Sequence, residues 1–578
     1  MDGKLQLRWV LALIGATTGA VLYGLVEAVE RDLLPDRVAL VALTFVAVLA
    51  GGLLVTAGPL AVRRAAPMAV ALALITALLV WGASLRYATM DEAFGSPLTA
   101  LAALIVATLP LPFAIAAAGP GWRHYPTLFL QAWTILVRLA AAWAFTGVVW
   151  LVIFLSDALL GIVGVKVIAE VLEVGAVPYV ITGAVLGLAL AVVHELSDRL
   201  SPALVLRLFR LLLPVVLAVM LVFLAVLPFR GLSGLFSGFS PALVLLAMVG
   251  AGISLVSIAV DQSDAEATES GFLRLTAQGQ ALILPVMAGF AGWAVWLRVA
   301  QYGWTPERLF VALVAVMALV YAGIYSVSVL RRGPWMERIR QGNLRMALAV
   351  IVVAGLWLTP VLNAERISAN DQLARFEAGA MPVEDLDVAA IGGWGIAGAR
   401  VMATLAAQAK EPGGEALAAR LADPYAAPAV DPTARAKQLA ELVAVLPVQP
   451  PSATGTRDML LAALLDAEVA SWTEACGRKL PGGAAGCVMV VADLLPLLPG
   501  EEALVILNQD GDYVQTLGLY LLNDGSLGQR QIVQPDGGFP DAAAARALLQ
   551  AFQAAPPATT PAMINQVGTG DTGLMFLP

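Results

Sequence analysis

One stretch decides the fold class of this chain: Leu211-Leu-Leu-Pro-Val-Val-Leu-Ala-Val-Met-Leu-Val-Phe-Leu-Ala-Val-Leu-Pro-Phe229, nineteen residues without a charged side chain. A helix of about 20 apolar residues crosses the roughly 30 Å hydrocarbon core of a bilayer. Ten other stretches of comparable length also lack Asp, Glu, Lys and Arg: Trp9–Val26, Val38–Val62, Ala65–Leu85, Pro97–Ala118, Leu139–Ser156, Val174–Val193, Ser240–Val260, Leu275–Leu297, Leu309–Leu330 and Met346–Ala364. The sequence therefore predicts eleven transmembrane helices.

The composition of the whole chain agrees with this prediction. Of its 578 residues, 60% are hydrophobic and only 13% are charged, whereas about 25% of the residues in an average soluble protein are charged. This excludes a disordered chain, a collagen-like fibre and a disulfide-rich mini-protein, and it argues against a single soluble globule. We expect an α-helical polytopic membrane bundle of about eleven transmembrane helices, followed by a small soluble α+β domain.

The distribution of charge divides the chain into two parts. Residues 1–362 contain 22 basic and 18 acidic residues, a net charge of +4, and residues 363–578 contain 12 basic and 24 acidic residues, a net charge of −12. The acidic part looks soluble and gives no electrostatic reason to expect binding of nucleic acid. Lys4 and Arg8 precede the first apolar run as in a signal peptide, but that run is too long and more spans follow, so it is predicted to be a retained anchor.

The positive-inside rule predicts the orientation. With the N-terminus inside, fifteen Lys and Arg residues fall on the inner side and seven on the outer side, and Arg331–Arg345 is the strongest local cluster. The N-terminus is therefore predicted to be cytoplasmic. An odd number of spans then places the C-terminal domain in the periplasm.

The segment after the last span is predicted to contain a stalk with a short helix (363–398), an α+β domain (399–554) and a loosely ordered tail (555–578). Helices are predicted at Asp371–Gly379, Ala399–Lys410, Glu415–Ala422, Pro432–Leu446, Asp458–Ala470 and Asp541–Gln553. Strands are predicted at Cys487–Val491, Ala503–Leu507, Tyr513–Leu522 and Gln529–Gln534. The turn signals Asp510-Gly511 and Asn523-Asp524-Gly525 indicate an antiparallel meander, and Pro447–Thr456 is predicted to be a linker.

The two cysteines of the chain, Cys476 and Cys487, both lie in this domain. In an oxidising compartment such a pair forms a disulfide, and a loop this short gains on the order of 2–3 kcal/mol from closure. The alternative is two unpaired small residues. The spacing matches no common zinc motif, and the domain has no histidine to complete one.

Candidate chemical sites in the sequence are weak, and we predict no catalytic residue, no metal site and no cofactor. Asn508, Asp510 and Asp512 have the spacing of a calcium loop, but Tyr513 and Leu519 occupy the positions where an EF-hand needs Gly and Glu, which favours a hairpin turn. The absence of histidine beyond residue 400 excludes a His-dependent hydrolase there. His124 and His194, the only histidines, are interpreted as interfacial residues.

The apolar part of the chain contains few ionisable residues within its spans, and it contains prolines and small-residue motifs that affect helix packing. No ionisable residue is predicted near the bilayer centre, since Glu27 and Arg138 lie near span ends; this argues against a proton-coupled antiporter. Pro214 and Pro285 could kink or break their spans. Two small-residue motifs, Gly15-x-x-x-Gly19 and Gly183-x-x-x-Gly187, are predicted to pack helices within this protein, with homodimerisation as the alternative.

The most distinctive string runs from Trp296 to Arg308, and physically it is an interhelical turn. Gly303 ends one helix, Thr305 is a good N-cap, and Pro306 suits the first helical position. Tyr302 and Trp304 suit a membrane interface. The complete signature consists of Trp296, Arg298, Tyr302, Gly303, Thr305, Pro306 and Arg308.

This signature resembles that of a bacterial family of polytopic membrane proteins catalogued as domain of unknown function 4153. The stretch Asn363-Ala-Glu-Arg-Ile-Ser-Ala-Asn-Asp-Gln-Leu-Ala-Arg-Phe-Glu-Ala-Gly379 is similar to the segment that follows the last span in members of that family. The resemblance covers roughly residues 10–390. It implies a bacterial inner-membrane location, and it supplies no activity and no catalytic residue.

Two functional hypotheses follow, while enzymatic activity is left undecided with a preference against it. The first is a non-enzymatic inner-membrane component of envelope sensing, scaffolding or assembly, whose partners are the lipid bilayer and envelope proteins or a second copy of the chain. The alternative is a transporter or flippase for a neutral solute or lipid. Glu30, Asp32 and Asp36 crowd the first external loop as in membrane glycosyltransferases, but this loop of about eight residues is too short for that enzyme class.

Overall fold

The computed structural model describes residues 2–94, 96–195, 202–230, 241–423, 432–480, 483–495, 500–510, 513–522, 525–534, 538–561, 566–567 and 574–575. The chain divides into two compact units, Met1–Tyr425 and Ala426–Pro578. Each unit is described by itself.

The first unit is helical. Its helices are α1 (Asp2–Glu30), α2 (Asp36–Thr56), α3 (Val62–Ser84), α4 (Met90–Phe94), α5 (Pro97–Thr108), α6 (Leu111–Ala117), α7 (Tyr125–Ile162), α8 (Val167–Glu173), α9 (Ala176–Glu195), α10 (Pro202–Arg210), α11 (Leu213–Arg230), α12 (Pro241–Val260), α13 (Gly271–Tyr302), α14 (Pro306–Leu330), α15 (Trp335–Trp357), α16 (Ala364–Glu377), α17 (Val388–Gly392), α18 (Gly395–Gln408) and α19 (Glu415–Ala422). Short 3₁₀ turns at Pro360–Leu362 and Val383–Asp385 connect the later helices.

Eleven segments in the described part of the chain are helical, long and apolar enough to cross a membrane, and they correspond one by one to the eleven predicted spans. This confirms the predicted bundle and indicates a multi-pass membrane protein. Two spans are interrupted: α5 and α6 meet at Pro110, and α10 and α11 meet just before Pro214. Pro285, by contrast, lies inside the continuous helix α13.

The last span differs from the predicted stretch Met346–Ala364, because α15 begins eleven residues earlier, at Trp335. Two of its arginines, Arg338 and Arg340, bind backbone carbonyl groups of neighbouring turns. Arg340 donates to the carbonyl oxygen of Val260 at 2.8 Å and to that of Asp261 at 3.1 Å. A charge count alone excludes such a segment from a span, whereas a paired arginine near a helix end is tolerated.

The two small-residue motifs pack against each other, so the backbones of α1 and α9 are in direct contact. A Cβ atom placed on Gly183 would lie 2.0 Å from the carbonyl oxygen of Gly15, and one on Gly19 would lie 2.1 Å from that of Tyr179. Only glycine allows backbones to approach this closely. At the end of the pair, Arg8 donates through Nε to Glu195 at 2.9 Å. Packing within the protein is therefore the observed use of these motifs.

The centre of the bundle formed by α10–α15 is filled by apolar side chains. Met220, Leu284 and Met287 are at most 1% exposed and belong to one continuous core cluster with Ala281 and Ala288. Packing at the density of a protein interior holds these helices together, because hydrocarbon supplies no hydrophobic driving force between them.

Helices α16–α19 follow the last span and form what we call the cap, residues 364–422. Its core consists of apolar side chains from all four helices and the turns between them, including Ala369, Leu386, Ile391, Leu405 and Leu417. The predicted short helix at Asp371–Gly379 begins earlier, at Ala364, because Asn363 caps it by accepting a hydrogen bond from the Arg366 amide at 2.9 Å. Helices α18 and α19, which were expected in the soluble domain, pack in this cap. The predicted start of the soluble domain at residue 399 stays a prediction.

The second unit is an α+β domain, as predicted. Its helices are α20 (Pro432–Val445), α21 (Thr454–Ala462), α22 (Asp466–Gly477) and α23 (Ala542–Ala554), and its strands are β1 (Val448–Gln449), β2 (Cys487–Ala492), β3 (Glu502–Asp510), β4 (Tyr513–Leu521), β5 (Leu527–Gln531), β6 (Gln566–Val567) and β7 (Leu574–Met575). The five-stranded sheet has the order β1-β2-β3-β4-β5. Strands β2–β5 form the predicted antiparallel meander. Strand β1, which lies in the segment predicted to be a linker, pairs in parallel with β2.

Side chains of both sheet faces are buried, which explains the continuous apolar run of β2. On one face Met489, Val505 and Leu507 pack in one core cluster with residues of α20–α22, and on the other Val488 and Ile506 pack with Leu549 of α23. A disulfide joins Cys476 of α22 to Cys487 of β2, as predicted. In the tail predicted to be loosely ordered, residues 555–578, strands β6 and β7 form an antiparallel pair. Several other residues of this tail lie outside the described part.

Candidate functional site

The signature string is the turn between α13 and α14, and its residues take the predicted structural positions. Gly303 ends α13 with φ of 74°, a left-handed conformation that favours glycine. The hydroxyl of Thr305 accepts a hydrogen bond from the amide of Arg308 at 3.3 Å, and Pro306 opens α14. The guanidinium group of Arg308 donates back to the carbonyl oxygens of Tyr302 and Gly303 at 3.1 and 2.9 Å. The turn is thus closed by its own side chains.

Helix α16, the first helix of the cap, binds this turn directly. The carboxylate of Asp371 accepts a hydrogen bond from the amide of Trp304 at 2.8 Å. The side-chain amide of Gln372 donates to the carbonyl oxygens of Tyr302 and Trp304, both at 3.0 Å. These bonds satisfy carbonyl groups that the end of α13 leaves without intrahelical partners. The two sequence segments that resemble the family therefore contact each other.

The remaining signature residues surround this contact. Arg375 of α16 donates to the carbonyl oxygen of Ala300 at 3.0 Å. The guanidinium carbons of Arg298 and Arg308 lie 5.6 and 5.4 Å from the ring centroid of Tyr302, within cation–π distance. The indole of Trp296 is 59% exposed. An exposed tryptophan near a helix end suits the membrane interface, so these residues mark where the span ends.

A buried ion pair forms the second contact between α16 and the bundle. The side chains of Arg86, after α3, and Glu365, in the first turn of α16, are each 5% exposed, and their nearest charged atoms are 3.3 Å apart. Arg86 also donates to the carbonyl oxygens of Trp357 and Thr359 at 2.5 and 2.7 Å. The hydroxyl of Tyr87 donates to Glu365 at 2.6 Å. Such additional hydrogen bonds are what make a buried ion pair tolerable.

Burial and the neighbouring Glu365 carboxylate raise the pKa of Tyr87 to about 12. The phenol therefore stays protonated and remains the donor to Glu365. The backbone of this segment is bound as well: the amide of Ile396 in α18 donates to the carbonyl oxygen of Arg86 at 2.9 Å. Gly395 has φ of 57°, and a Cβ atom there would lie 2.5 Å from the same oxygen. Two helices of the cap, α16 and α18, therefore contact Arg86.

These contacts define what we call the cap junction, at the end of the bundle where α3, α13 and α15 finish. Its residues are Arg86, Tyr87, Gly303, Trp304, Glu365, Asp371, Gln372 and Arg375. Each polar contact joins side chains to backbone or to one another; the Arg86–Glu365 pair is buried, the contacts of Asp371 and Gln372 are half-buried, and those of Arg375 are exposed. The arrangement links the ends of α3, α13 and α15 to α16.

A second polar cluster lies at the opposite end, where α15 begins. The amide of Asn343 bridges the hydroxyl of Tyr125 at 2.9 Å and that of Ser257 at 3.1 Å, and its oxygen accepts from the hydroxyl of Tyr325 at 2.6 Å. Nearby Arg210 forms an ion pair with Asp261. Burial raises the pKa of Asp261, against the opposing effect of a backbone hydrogen bond and of the arginine. This network fixes the contact of α7, α12, α14 and α15.

Sequence reasoning missed both networks. Arg86 and Glu365 lie outside the predicted spans, and nothing in their local sequence shows that they meet across 279 positions. The one local signal was the family-like segment 363–379, which contains Glu365, Asp371, Gln372 and Arg375. The Asn343 network has a weaker signal: Asn343 is an amide residue among the arginines of the Arg331–Arg345 cluster, outside the predicted last span.

The other candidate residues are placed as follows. His124 is exposed and its Nδ1 lies 2.9 Å from the Thr127 hydroxyl. His194 and Arg138 line a small cavity of about 10 Å³, room for at most one water molecule. Asn508 pairs with Val514 in the β3–β4 hairpin, and Asp512 lies outside the described residues. Among the residues that the structure describes, no three His, Cys, Asp or Glu side chains are grouped so as to hold a metal ion.

A comparison with protein-family models matches residues 38–405 to the family described as "Domain of unknown function (DUF4153)". The chain belongs to this family. The matched region contains the whole cap junction and ends within α18, so the cap junction is part of the family domain and the second unit lies beyond it. Neither the search of curated proteins nor that of solved structures found a match.

Proposed function

We propose that this DUF4153 protein is a non-enzymatic component of the bacterial inner membrane that takes part in envelope sensing, scaffolding or assembly. In this proposal the N-terminus is cytoplasmic and the cap and the second unit are periplasmic. The observation that carries it is the cap junction, because α16 both binds the ends of three spanning helices and begins the chain segment that leads to the second unit. A displacement of those helix ends would reach the cap through buried ion-pair and backbone contacts.

Two further features support the proposed orientation. The arginine-rich turns gather at the end where α15 begins, which the positive-inside rule assigns to the cytoplasm. The disulfide between Cys476 and Cys487 persists in an oxidising compartment such as the periplasm and is rare in the cytosol. The acidic composition of the second unit also suits a domain that lies in water.

The alternative function, transport of a neutral solute or lipid, has less support. A transporter needs a site near the bilayer midplane, built from discontinuous helices. Two spans are interrupted, at α5–α6 and at α10–α11. In α11–α13, however, Met220, Leu284 and Met287 are all packed in the core. The continuous helix α13 passes through Pro285 without a break. A packed core suits an anchor that holds a defined shape.

Cysteine accessibility tests the orientation. The native cysteines are joined in a disulfide, so single introduced cysteines report without background. Glu384→Cys places a thiol on an exposed residue of the cap, and Arg64→Cys places one on an exposed residue at the start of α3. We expect a membrane-impermeant maleimide to label the first in intact spheroplasts and the second only after lysis. The reverse pattern would overturn the orientation.

Affinity purification tests the role. The full-length protein, tagged and extracted in mild detergent, is expected to retain the same envelope proteins in replicate purifications. The Glu365→Gln variant, which weakens the cap junction, should retain fewer of them at equal expression. A wild-type purification that repeatedly yields the chain alone, or only cytoplasmic proteins, would refute a role in the envelope.

A further inference from the structure

A groove runs along the outside of the bundle beside the first half of α13. The apolar part of the groove has a volume of about 340 Å³. It is lined by Leu217 of α11, Phe272, Leu275 and Leu282 of α13, and Val329 of α14. Phe272 and Leu275 are 65% and 68% exposed. Because these residues belong to membrane-spanning helices, the groove opens towards hydrocarbon and has the apolar surface that an acyl chain fits.

The groove continues into a polar recess at the end of the bundle where α15 begins. This recess, of about 370 Å³, is lined by Gln278, Arg332, Gly333 and Trp335, and it shares Gln278 and Val329 with the apolar part. An apolar slot that ends in a cationic, hydrogen-bonding recess has the polarity profile of a phospholipid, whose acyl chains and phosphate headgroup are joined through glycerol.

The turn that carries Arg332 is held by backbone contacts. Arg332 has φ of 51°, and its carbonyl oxygen accepts a hydrogen bond from the guanidinium group of Arg338. Arg338 also donates to the carbonyl oxygen of Ser328 at 3.1 Å, and the Trp335 amide donates to that of Gly333 at 2.8 Å. The backbone is therefore fixed while the side chain of Arg332 remains exposed at the recess.

The charge balance at the recess favours an anion. Arg331 and Arg332 are both exposed, and neither forms an ion pair within the described part of the chain. The nearest acid in the sequence, Glu337 in the first turn of α15, accepts a hydrogen bond from Gln341 on its own helix at 3.3 Å. Basic recesses between membrane helices bind anionic lipid headgroups, each Lys or Arg contributing about 1 kcal/mol near a charged surface.

We propose that this groove is a binding site for an anionic glycerophospholipid, with one acyl chain along Leu217, Leu275 and Leu282 and the phosphate beside Arg332. The site is independent of the proposed envelope role, since it lies at the end of the bundle opposite the cap. A lipid bound here bridges α11, α13 and the α14–α15 turn, and so adds to the contacts that hold this end together.

Native mass spectrometry of the full-length protein in detergent tests the headgroup contact. The protein is delipidated and titrated with phosphatidylglycerol or with phosphatidylcholine of the same acyl chains. We expect phosphatidylglycerol to bind more tightly, and Arg332→Gln to weaken its binding about five-fold while leaving phosphatidylcholine unchanged. Arg331→Gln, which removes the same charge one residue outside the recess, should change either affinity by less than about two-fold. Equal affinity for the two lipids, or no effect of Arg332→Gln, would overturn the proposal.

A second pair of variants tests the acyl-chain contact. A Cβ atom on Gly279 would lie 3.4 Å from Leu217, at the floor of the apolar groove, whereas one on Gly289 of the same helix would meet no atom of the described residues within 4 Å. Gly279→Leu should fill the groove and weaken phosphatidylglycerol binding, and Gly289→Leu should leave it unchanged. If inorganic phosphate displaces the lipid and Gly279→Leu has no effect, the site recognises a free anion and the lipid assignment is wrong.

Discussion

Glu365→Gln tests the cap junction, because it removes the negative charge opposite Arg86 while keeping the shape of the side chain. The glutamine still accepts a hydrogen bond from Tyr87, and Arg86 keeps the carbonyl oxygens of Trp357 and Thr359. A hydrogen bond to a charged group contributes about 1.5–3 kcal/mol, and removing a whole partner from a buried ion pair costs about 3–5 kcal/mol. We therefore expect the variant to lose about 2 kcal/mol of local stability.

Thiol labelling of α16 measures this loss. Ser368 is 0% exposed and lies three residues after Glu365, and within the described part of the chain its hydroxyl has no hydrogen-bond partner, so Ser368→Cys is a nearly isosteric buried reporter. Its labelling rate under native conditions follows the population of the locally opened cap. A loss of 2 kcal/mol corresponds to roughly 30-fold faster labelling, since 1.4 kcal/mol is a factor of ten.

A matched variant and a double variant complete this test. Glu384→Gln removes an equal charge from an exposed position of the cap and should leave the labelling rate unchanged. Arg86→Met combined with Glu365→Leu replaces the ion pair by apolar groups and should label more slowly than Glu365→Leu alone, because no unpaired charge remains buried. Labelling accelerated less than about three-fold by Glu365→Gln would refute the view that this ion pair holds α16 on the bundle.

Four further outcomes are expected. Gly303→Ala should destabilise α16 by more than about 1 kcal/mol in the same labelling assay, since its Cβ atom would meet the Gln372 amide at 2.6 Å in a left-handed backbone. Gly183→Leu should lower the free energy of unfolding of the helical bundle by about 1–3 kcal/mol or more, because the side chain would overpack the α1–α9 contact. A lower thermal unfolding temperature in detergent measures this loss. Replacing Cys476 and Cys487 together by serine should cost the second unit about 3 kcal/mol, measured by proteolysis in urea. Above pH 10 the cap should lose stability as pH rises towards 12, because Tyr87 ionises more readily in the unfolded chain than in the folded one.

Each of these outcomes has a control. Gly164→Ala, also at positive φ but with no atom within 4 Å of the added Cβ, separates steric contact from backbone strain. Gly24→Leu adds the same bulk to an open part of α1. Reduction of the wild-type disulfide should reproduce the serine variant, and Tyr87→Phe should remove the loss of stability between pH 10 and 12. Three outcomes would contradict these explanations. They are a Gly164→Ala or Gly24→Leu protein as destabilised as the variant it is matched with, a reduced wild type that stays more stable than the serine variant, and a Tyr87→Phe protein that still loses stability between pH 10 and 12.

The sequence located the spans well because the requirement is local. A stretch such as Leu211–Phe229 identifies itself by length and lack of charge, whatever its neighbours are. The error at the last span shows the limit of this rule. Arg340 looked like a loop residue by its charge, yet it lies in α15 because two carbonyl groups from the end of α12 bind it.

The sequence located part of the candidate site for a similar reason. Gly303, Thr305 and Pro306 favour their positions through local backbone preferences, and these predicted a turn. Nothing local predicted that Asp371 and Gln372 would bind this turn, because they lie nearly seventy residues away along the chain. The family-like segment 363–379 marked the right helix but gave no indication of its partners.

What the sequence determined by itself is the membrane class, the order of the eleven helices, the meander of β2–β5 and the pairing of Cys476 with Cys487, since apolar length, strand period and two lone cysteines act over short distances or leave one choice. What the tertiary structure decided is which polar groups meet, Arg86 with Glu365 and the Trp304 amide with Asp371, and which apolar side chains lie next to the exposed Arg332. Those meetings depend on how the helices pack, because a buried charge or carbonyl group takes its partner from whatever the fold brings within hydrogen-bond distance.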